Sequence, residues 1–257
     1  MTEASYRQDG DVGELVLDAP PLNLFSAAMF DDLEAAIAHA LEAAPRALIF
    51  RAQGDVVSAG VDVHVFEGLA PSQAGALWER LLVTVSALEG LPCPTVFAAH
   101  GLCLTAAFEI ALACDLLVAA ERAQFGLVER VVGLTPSMGG PQRLTERAGA
   151  ARARQLVYSG DRFDAATLEC WGVVTAVWPD DEFATQSRAL AARLADGPTL
   201  AHAATKRLVR AAAREGVGAA DALVPEVSGA LFATEDLQGA VASFLREGPG
   251  KARFHGR

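Results

Sequence analysis

Short apolar runs alternate with amphipathic stretches through the first 178 residues of the chain. The runs at 47–50 and 95–99 are continuous and short, which is typical of strands that are buried on both faces. Between such runs, apolar residues recur at helical spacing, as they do from Met29 to Leu41 after a predicted N-cap at Ser26. This alternation predicts an α/β core with parallel strands joined by right-handed crossovers.

The segment 94–115 contains the one polar position that the apolar pattern does not explain. It is predicted to form a buried strand, a turn at His100-Gly101 and a helix beginning near Thr105. A carboxylate, Glu109, lies in the otherwise apolar first turns of that helix. A buried, ionised and unpaired carboxylate costs several kcal/mol. Glu109 therefore lies on a solvated side of the helix, or it faces a cleft and transfers protons.

The strand pattern stops after Trp178-Pro179, and only helical spacing follows. We therefore predict two regions, an α/β core over residues 1–196 and a C-terminal helical region over residues 197–257. A helical region without strands of its own is expected to pack on the core or on a neighbouring subunit. Helices are predicted at 181–195, 198–214, 218–232 and 235–246.

Composition excludes several classes of protein. The chain has 257 residues and a formal net charge of −11, which argues against a nucleic-acid partner. Its N-terminus has no apolar signal core, and prolines interrupt its most apolar run, so we expect a cytoplasmic protein that does not span a membrane. The cysteines lie in apolar surroundings without a CxxC pair and are expected to be reduced core residues: Cys93, Cys103, Cys114 and Cys170.

Common cofactor and metal motifs are absent from the sequence. It contains neither GxGxxG after a strand nor GxxxxGK[ST], and no GxSxG elbow. The five histidines lack the spacing of metal ligands. We therefore expect no metal and no bound cofactor.

Several motifs, in order along the chain, resemble the crotonase (enoyl-CoA hydratase/isomerase) family. Ser58-Ala-Gly-Val-Asp62 resembles the family's Ser/Ala-Ala-Gly-x-Asp turn. The segments 20–26, 94–115 and 123–140 resemble its Pro-x-x-Asn-x-x-Ser, Glu-x-Ala-x-x-Cys-Asp and Ala-x-Phe-Gly-x-Pro-Glu motifs. The resemblance implies an α/β fold that is a spiral of β-β-α units with a C-terminal helical trimerisation region. It also implies assembly as a homotrimer or a dimer of trimers.

The family's shared step is the formation of an enolate on an acyl-CoA thioester. By resemblance, the backbone N–H groups of Val61 and Ala106 form the oxyanion hole. The same resemblance places Glu109 and Glu129 at the two acid/base positions of the hydratases. Glu109 is assigned to activation of water and Glu129 to protonation of the α-carbon. An alternative for Glu129 is an ordinary surface ion pair with Arg130.

Two positions depart from the commonest family pattern. Val61 stands where Ala is frequent, and Thr105-Ala-Ala107 stands where a glycine run is frequent. The backbone donors survive these changes, but the added side-chain atoms narrow the space beside a thioester.

The resemblance also suggests residues that contact the substrate. Asp62 caps a helix or takes part in binding, His64 contacts CoA or is simply exposed, and Ser137 binds the catalytic water or turns its loop. Lys251 and Phe254 belong to a tail that reaches CoA on a neighbouring subunit, or is a solvated end. With coenzyme A counted as part of the substrate, the predicted contacts are Ala59, Val61, Asp62, Val63, His64, Ser137, Lys251 and Phe254.

Three functions are compatible with these residues. The first is an enoyl-CoA hydratase, favoured by the two carboxylates. The second is an enoyl-CoA isomerase or another enolate chemistry, favoured by the altered Thr105-Ala-Ala107 segment and by Val128, where Pro is common. The third is a family member that binds acyl-CoA without turning it over. Apolar runs at 77–85 and 125–132 are expected to line part of the acyl pocket, without fixing the length of the acyl chain.

Overall fold

Two β-sheets form the core of the protein, for which a computed structural model describes residues 2–257. The larger sheet has six strands in the order β1-β2-β3-β4-β6-β9, and the smaller has three in the order β5-β7-β8. The strands are β1 (Ala4–Asp9), β2 (Val12–Leu17), β3 (Ala47–Ala52), β4 (Thr95–Ala99), β5 (Leu102–Leu104), β6 (Leu116–Ala120), β7 (Gln124–Gly126), β8 (Phe163–Asp164) and β9 (Ala176–Trp178).

Helices follow the strands, and the last four helices follow one another. They are α1 (Ala27–Ala43), α2 (Pro71–Glu89), α3 (Ala106–Ala113), α4 (Gly140–Ala148), α5 (Ala150–Ser159), α6 (Ala165–Cys170), α7 (Asp180–Ala195), α8 (Thr199–Glu215), α9 (Val217–Ala230) and α10 (Glu235–Glu247). Short 3-10 turns occupy Val63–Phe66, Glu129–Val132 and Leu231–Ala233. In the described part of the chain, no helix combines the length and the apolar character that a membrane crossing requires.

Successive strands alternate between the two sheets before the chain enters a helix. β4 lies in the larger sheet and β5 in the smaller, and α3 follows; β6 and β7 repeat this course before α4. The chain after β3 does the same in shortened form, since Ser58 forms a parallel bridge with Cys103 of β5 before α2 begins. These are repeated β-β-α units. The α/β prediction and the spiral implied by the resemblance are both confirmed.

The central strands are buried on both faces, as their continuous apolar runs predict. In β3, Leu48 and Phe50 belong to the main core, which includes residues of α1, α2 and α3. Ile49 points to the other face, where it belongs to a second core together with Phe183 and Leu190 of α7. The alternation of side chains along a strand therefore divides the core into two layers.

Several other predictions about elements are confirmed. Ser26 caps α1, because its Oγ accepts a hydrogen bond of 3.0 Å from the Met29 amide. The four C-terminal helices lie close to their predicted bounds. The division of the chain at residue 196, in the turn between α7 and α8, stays a prediction.

The sequence missed two strands and was wrong about one cysteine, although α3 begins next to Thr105 as predicted. The charged segment Ala4–Asp9 is a strand and pairs antiparallel with β2, although the sequence predicted parallel strands. Its mainly exposed side chains show no apolar pattern, so hydrogen bonding with β2 is what stabilises this strand. The strand β5 separates the His100-Gly101 turn from α3, and three residues are too few to produce a periodic pattern. Cys170, at the end of α6, is exposed, whereas the other three cysteines are buried.

A buried asparagine fixes the chain that leads into the smaller sheet. Asn23 Nδ2 donates to the carbonyl oxygens of Gln53 and Val56 at 2.8 and 3.0 Å, and Asn23 Oδ1 accepts from the Ala19 amide at 2.7 Å. Ser58 Oγ donates to the Asn23 carbonyl at 2.7 Å. Asn23 has φ +47°, which asparagine tolerates better than most residues. These bonds hold residues 53–58 against the start of α1.

We expect Asn23→Ala to lower the free energy of unfolding by roughly 3–5 kcal/mol, because it leaves several buried groups unpaired at a left-handed position. Urea unfolding of the purified variant measures the change. Gln53→Ala is the matched control, since it keeps the carbonyl that Asn23 binds and removes an exposed side chain. An equal and small loss in both variants would contradict the role of Asn23.

Candidate active site

The chain segments of the site are aligned by parallel pairing in the smaller sheet. The Leu104 amide donates to the Ser58 carbonyl at 3.1 Å, and the Thr105 amide donates to the Gly126 carbonyl at 2.9 Å. Parallel strands present their carboxyl ends at the same edge of a sheet. The residues that follow each strand position, at 59–61, 105–109 and 128–129, therefore meet at one place.

These segments surround a cavity of ≈ 200 Å³. Its acidic side chains are Glu109 and Glu129, and much of the remaining wall is apolar. Of the two runs expected to line an acyl pocket, 77–85 contributes Trp78, and 125–132 contributes Val128, Glu129, Val131 and Val132. The full lining is Ala59, Gly60, Val61, Val63, Phe66, Trp78, Thr105, Glu109, Val128, Glu129, Val131, Val132, Leu134, Thr135, Ser137 and Met138.

Glu109 is buried, with a relative exposure of 2%, so the alternative that it lies on a solvated side of the helix was wrong. Its Oε1 accepts hydrogen bonds from the amides of Met138 and Gly140 at 2.9 and 2.8 Å, where α4 begins. Only glycine allows this approach at position 140, because a Cβ there would lie 2.8 Å from Glu109 Cγ. Burial raises the pKa of Glu109 to about 7, although the Gly140 and Met138 amides and Arg143 lower it.

The helix α4, whose N-terminus binds the Glu109 carboxylate, is itself anchored by an ion pair. Arg143 of α4 contacts both carboxylate oxygens of Glu89 at the end of α2, each at 3.1 Å. The Glu89 carboxylate also forms ion pairs with the guanidinium groups of Arg214 and Arg210 of α8, with N–O distances of 2.5 and 3.6 Å. The cluster joins α2, α4 and α8, and it fixes the N-terminus of α4 in front of Glu109.

Glu129 is also buried, with a relative exposure of 9%. Its Oε2 has no hydrogen-bond partner within residues 2–257. Burial and the charge of Glu109 raise the pKa of Glu129 to about 8. The alternative ion pair with Arg130 was wrong, because the Arg130 guanidinium donates to the Ser159 carbonyl instead.

The amides of Val61 and Ala106 are both without an acceptor in the described part of the chain. Phe25 donates to the Gly60 carbonyl and accepts from the Asp62 amide, so the Val61 amide points away from Phe25. Ala106 is the first residue of α3, where amides have no partner inside the helix. Neither amide is therefore used by the described chain. Val61 lines the cavity, whereas Ala106 is buried next to Thr105, which lines it.

The other predicted contact residues divide into two groups. Ala59, Val63 and Ser137 line the cavity, although the Ser137 hydroxyl donates to the Thr135 carbonyl at 2.8 Å and thereby turns its loop. Asp62 and His64 lie outside the lining. Asp62 caps the 3-10 turn by accepting from the His64 amide at 3.0 Å, and its carboxylate contacts the His64 ring at 2.6 Å.

The C-terminal tail is held on its own chain, away from this cavity. The amides of His255 and Gly256 donate to the Asp236 carboxylate at 2.6 and 2.8 Å, and Phe254 packs near α8 and α10. The tail is therefore not a frayed end. Contact of Lys251 or Phe254 with CoA on a neighbouring subunit stays a prediction.

Among the lining residues, Phe66 was missed by sequence reasoning, and Trp78 was predicted only as a member of the run 77–85. Phe66 and Trp78 contact each other, with ring centroids 5.5 Å apart, and form part of the apolar wall. Their signal was weak, because an aromatic residue on a helix is also typical of the core. Thr105 was noted as a departure from the family pattern, but its side chain was not assigned a role.

The arrangement defines a class of chemistry. Two buried carboxyl groups with pKa values near neutrality can take up and deliver protons, and two free amides can stabilise an oxyanion. Together they suit proton transfer at a carbon next to a carbonyl. In the described residues, no group of three or more His, Cys, Asp or Glu is arranged to hold a metal.

Comparisons with known proteins identify the family. The enoyl-CoA hydratase/isomerase family profile matches residues 7–256, and this chain belongs to that family. A Mycobacterium tuberculosis protein named "Probable enoyl-CoA hydratase echA8" is 31% identical over 243 residues, 93% of each chain. The crotonyl-CoA hydratase of Syntrophomonas wolfei is 32% identical over 208 residues, 78% of this chain and 77% of that one. The crystal structure of enoyl-CoA hydrates subunit I from Geobacillus kaustophilus superposes with a TM-score of 0.92 at 31% identity, covering 99% of this chain and 98% of that one.

We expect Glu129→Gln to stabilise the protein increasingly as the pH rises. The pKa of Glu129 is about 8 when folded against an ordinary 4.5, so the folded state retains a proton that the unfolded chain has lost. The wild type therefore loses stability relative to the variant between pH 4.5 and 8, by roughly 2–4 kcal/mol. Urea unfolding across this range measures the difference. The control is Glu79→Gln at an exposed position, and its difference in unfolding free energy from wild type should not change with pH. A difference for Glu129→Gln that does not change with pH would refute the raised pKa.

Proposed function

We propose that this protein is an enoyl-CoA hydratase that adds water syn across the 2,3 double bond of an acyl-CoA thioester. The observation that supports this most directly is that two buried carboxyl groups with raised pKa values line one cavity. The names of its relatives, which include enoyl-CoA and crotonyl-CoA hydratases, agree with this reaction. Coenzyme A enters as part of the substrate, and the proposal requires no further cofactor.

The two carboxyl groups take different roles because their surroundings differ. Glu109 has a pKa of about 7, and two backbone amides stabilise its ionised form. It accepts a proton from the attacking water. Glu129 has a pKa of about 8, and its Oε2 has no hydrogen-bond partner in the described residues, so it is mostly protonated at neutral pH. It delivers its proton to the α-carbon.

The amides of Val61 and Ala106 stabilise the enolate oxygen that forms between these two proton transfers. Backbone donors are already in place before the reaction, so they need no reorganisation, and each is typically worth ~3 kcal/mol of transition-state stabilisation. Ala59, Val63 and Ser137, which line the same cavity, are proposed to contact the substrate. Asp62 supports the loop that carries Val61, and His64 is exposed beside it, where it is proposed to face CoA.

We further propose that second and third copies of the chain cover the C-terminal helices, and that the protein acts in the cytoplasm. Large apolar side chains on these helices are exposed in the single chain, which favours burial against an apolar partner. Symmetry-related copies of the same chain are the simplest partners that cover these side chains. The exposed residues include Val217, Phe232, Val241, Phe244 and Leu245.

Replacing each acid by its amide tests the two roles. We expect Glu109→Gln and Glu129→Gln each to lower kcat for 2-enoyl-CoA hydration by roughly 10²- to 10⁴-fold, because each removes one proton transfer. In the Glu109→Gln variant the side chain keeps an oxygen that can accept the two amide hydrogen bonds, so the fold is preserved. Glu79→Gln on the exposed face of α2 is the control. The assay uses a panel of 2-enoyl-CoA esters of increasing chain length, with product analysis.

The same panel includes a 3-enoyl-CoA ester, which tests the other family chemistry. Glu129 alone would suffice to shift a double bond. A wild type that isomerises this ester and hydrates no 2-enoyl-CoA is an isomerase, and the proposal fails. A wild type that binds acyl-CoA tightly without any turnover is a binding protein, and the proposal fails equally.

The assembly is tested by size-exclusion chromatography with light scattering. We expect a mass of about three or six times the 26.8 kDa chain, because the exposed apolar side chains are then buried between copies. Leu245→Asp places a charge on the most exposed of these residues, at 80%, and should shift the mass toward that of one chain. The control variant Glu79→Gln should not. A wild-type mass of one chain would contradict the proposed assembly.

A further inference from the structure

The backbone of Thr105 is strained at the point where α3 begins. Thr105 has φ +48° and ψ −120°, a conformation that β-branched residues rarely adopt. Glycine would adopt this conformation without such strain. A threonine at this position therefore needs a compensating reason.

The Thr105 hydroxyl is not used by the helix that it precedes. Threonine is a favoured N-cap residue because its oxygen accepts from an amide of the first helical turn. Thr105 makes no such bond. Its Oγ1 is buried and has no hydrogen-bond partner within residues 2–257, although the residue lines the cavity. An unpaired hydroxyl of this kind costs free energy in the unliganded protein.

The hydroxyl lies between the two segments that carry the free amides. Thr105 directly precedes Ala106, and Gly60 directly precedes Val61. A Cβ at position 60 would lie 2.8 Å from Thr105 Oγ1, so the missing side chain of Gly60 makes room for the hydroxyl. The side chain of Thr105 therefore lies against the segment that carries one proposed oxyanion donor, Val61, and directly precedes the other, Ala106.

We infer that Thr105 is a third, side-chain donor of the oxyanion site, whose hydroxyl hydrogen-bonds to the thioester oxygen of the bound acyl-CoA. This inference rests on the proposed function, since it requires a thioester oxygen at the Val61 and Ala106 amides. The hydroxyl strengthens its hydrogen bond as charge develops on that oxygen, so it acts more on the enolate than on the substrate. It would compensate for the strain at Thr105 and for the hydroxyl that is otherwise unpaired.

Matched substitutions separate this role from a purely structural one. Thr105→Val has the same branched shape and removes the hydroxyl, while Thr105→Ser keeps the hydroxyl and removes the methyl group. If Thr105 is only a spacer between Gly60 and α3, the valine variant behaves as wild type and the serine variant does not. If the hydroxyl is a donor, the order is reversed.

The first measurement is steady-state hydration of a 2-enoyl-CoA. We expect Thr105→Val to lower kcat by roughly 10- to 100-fold with a smaller change in KM, and Thr105→Ser to stay within about threefold of wild type. The unliganded valine variant should unfold at a temperature equal to or above that of wild type, because an unpaired buried hydroxyl is removed. Retained activity in the valine variant, or an equal loss in the serine variant, overturns the inference.

The second measurement does not depend on turnover. Calorimetry compares the affinity for a saturated acyl-CoA thioester with that for its thioether analogue, in which a CH₂ replaces the carbonyl. We expect Thr105→Val to lower thioester affinity by about three- to fivefold, less than it lowers kcat, and to leave thioether affinity unchanged. An unchanged ratio of the two affinities in the valine variant overturns the inference.

The two measurements also separate this inference from the proposed function. A wild type that does not hydrate, but whose preference for the thioester depends on the Thr105 hydroxyl, contradicts the hydratase assignment and supports the third donor. If the wild type hydrates normally and the valine variant has the same activity, the hydratase assignment stands and the third donor is overturned. A wild type without any preference for the thioester overturns both the third donor and the oxyanion site.

Discussion

Parallel pairing in the smaller sheet is the constraint on which the site depends. Two backbone hydrogen bonds, from Leu104 to Ser58 and from Thr105 to Gly126, place three distant chain segments side by side. Each segment then turns toward the same cavity, one carrying Val61 and another carrying Glu129. Residues of the larger sheet belong to both layers of the core, and residues of the smaller sheet belong to the main layer. The smaller sheet therefore contributes to the core and also sets the register of the site segments.

Desolvation dominates the electrostatics of the cavity, and backbone amides set the difference between its two acids. Both carboxyl groups are buried, which raises the pKa of each. Glu109 recovers part of the lost solvation from the Met138 and Gly140 amides. Oε2 of Glu129 has no hydrogen-bond partner within the described residues, and the carboxyl also experiences the charge of Glu109. A base and an acid of the same residue type therefore differ because only one of them faces a helix N-terminus.

Sequence patterns predicted the elements whose own residues carry a signal. The continuous run of β4 and the capped, periodic helix α1 were predicted because burial and capping are local properties. Strand β1 and the short β5 were missed, since their pairing partners, rather than their side chains, define them. The same limit applies to the site. The apolar neighbours of Glu109 marked it as unusual, but only the family resemblance suggested its partner Glu129, because 19 intervening residues hide a contact that the smaller sheet creates.

The cavity concentrates features that a purely structural core avoids. Four buried side-chain atoms in the described chain lack a hydrogen-bond partner, and two of them, Thr105 Oγ1 and Glu129 Oε2, belong to residues lining this cavity. Thr105 adds a strained backbone at the same place. Elsewhere, buried polar side chains such as Asn23 and Ser58 are fully engaged. Because each unpaired group destabilises the unliganded protein, their clustering argues that a ligand supplies the missing partners, and that selection has favoured binding over stability at this site.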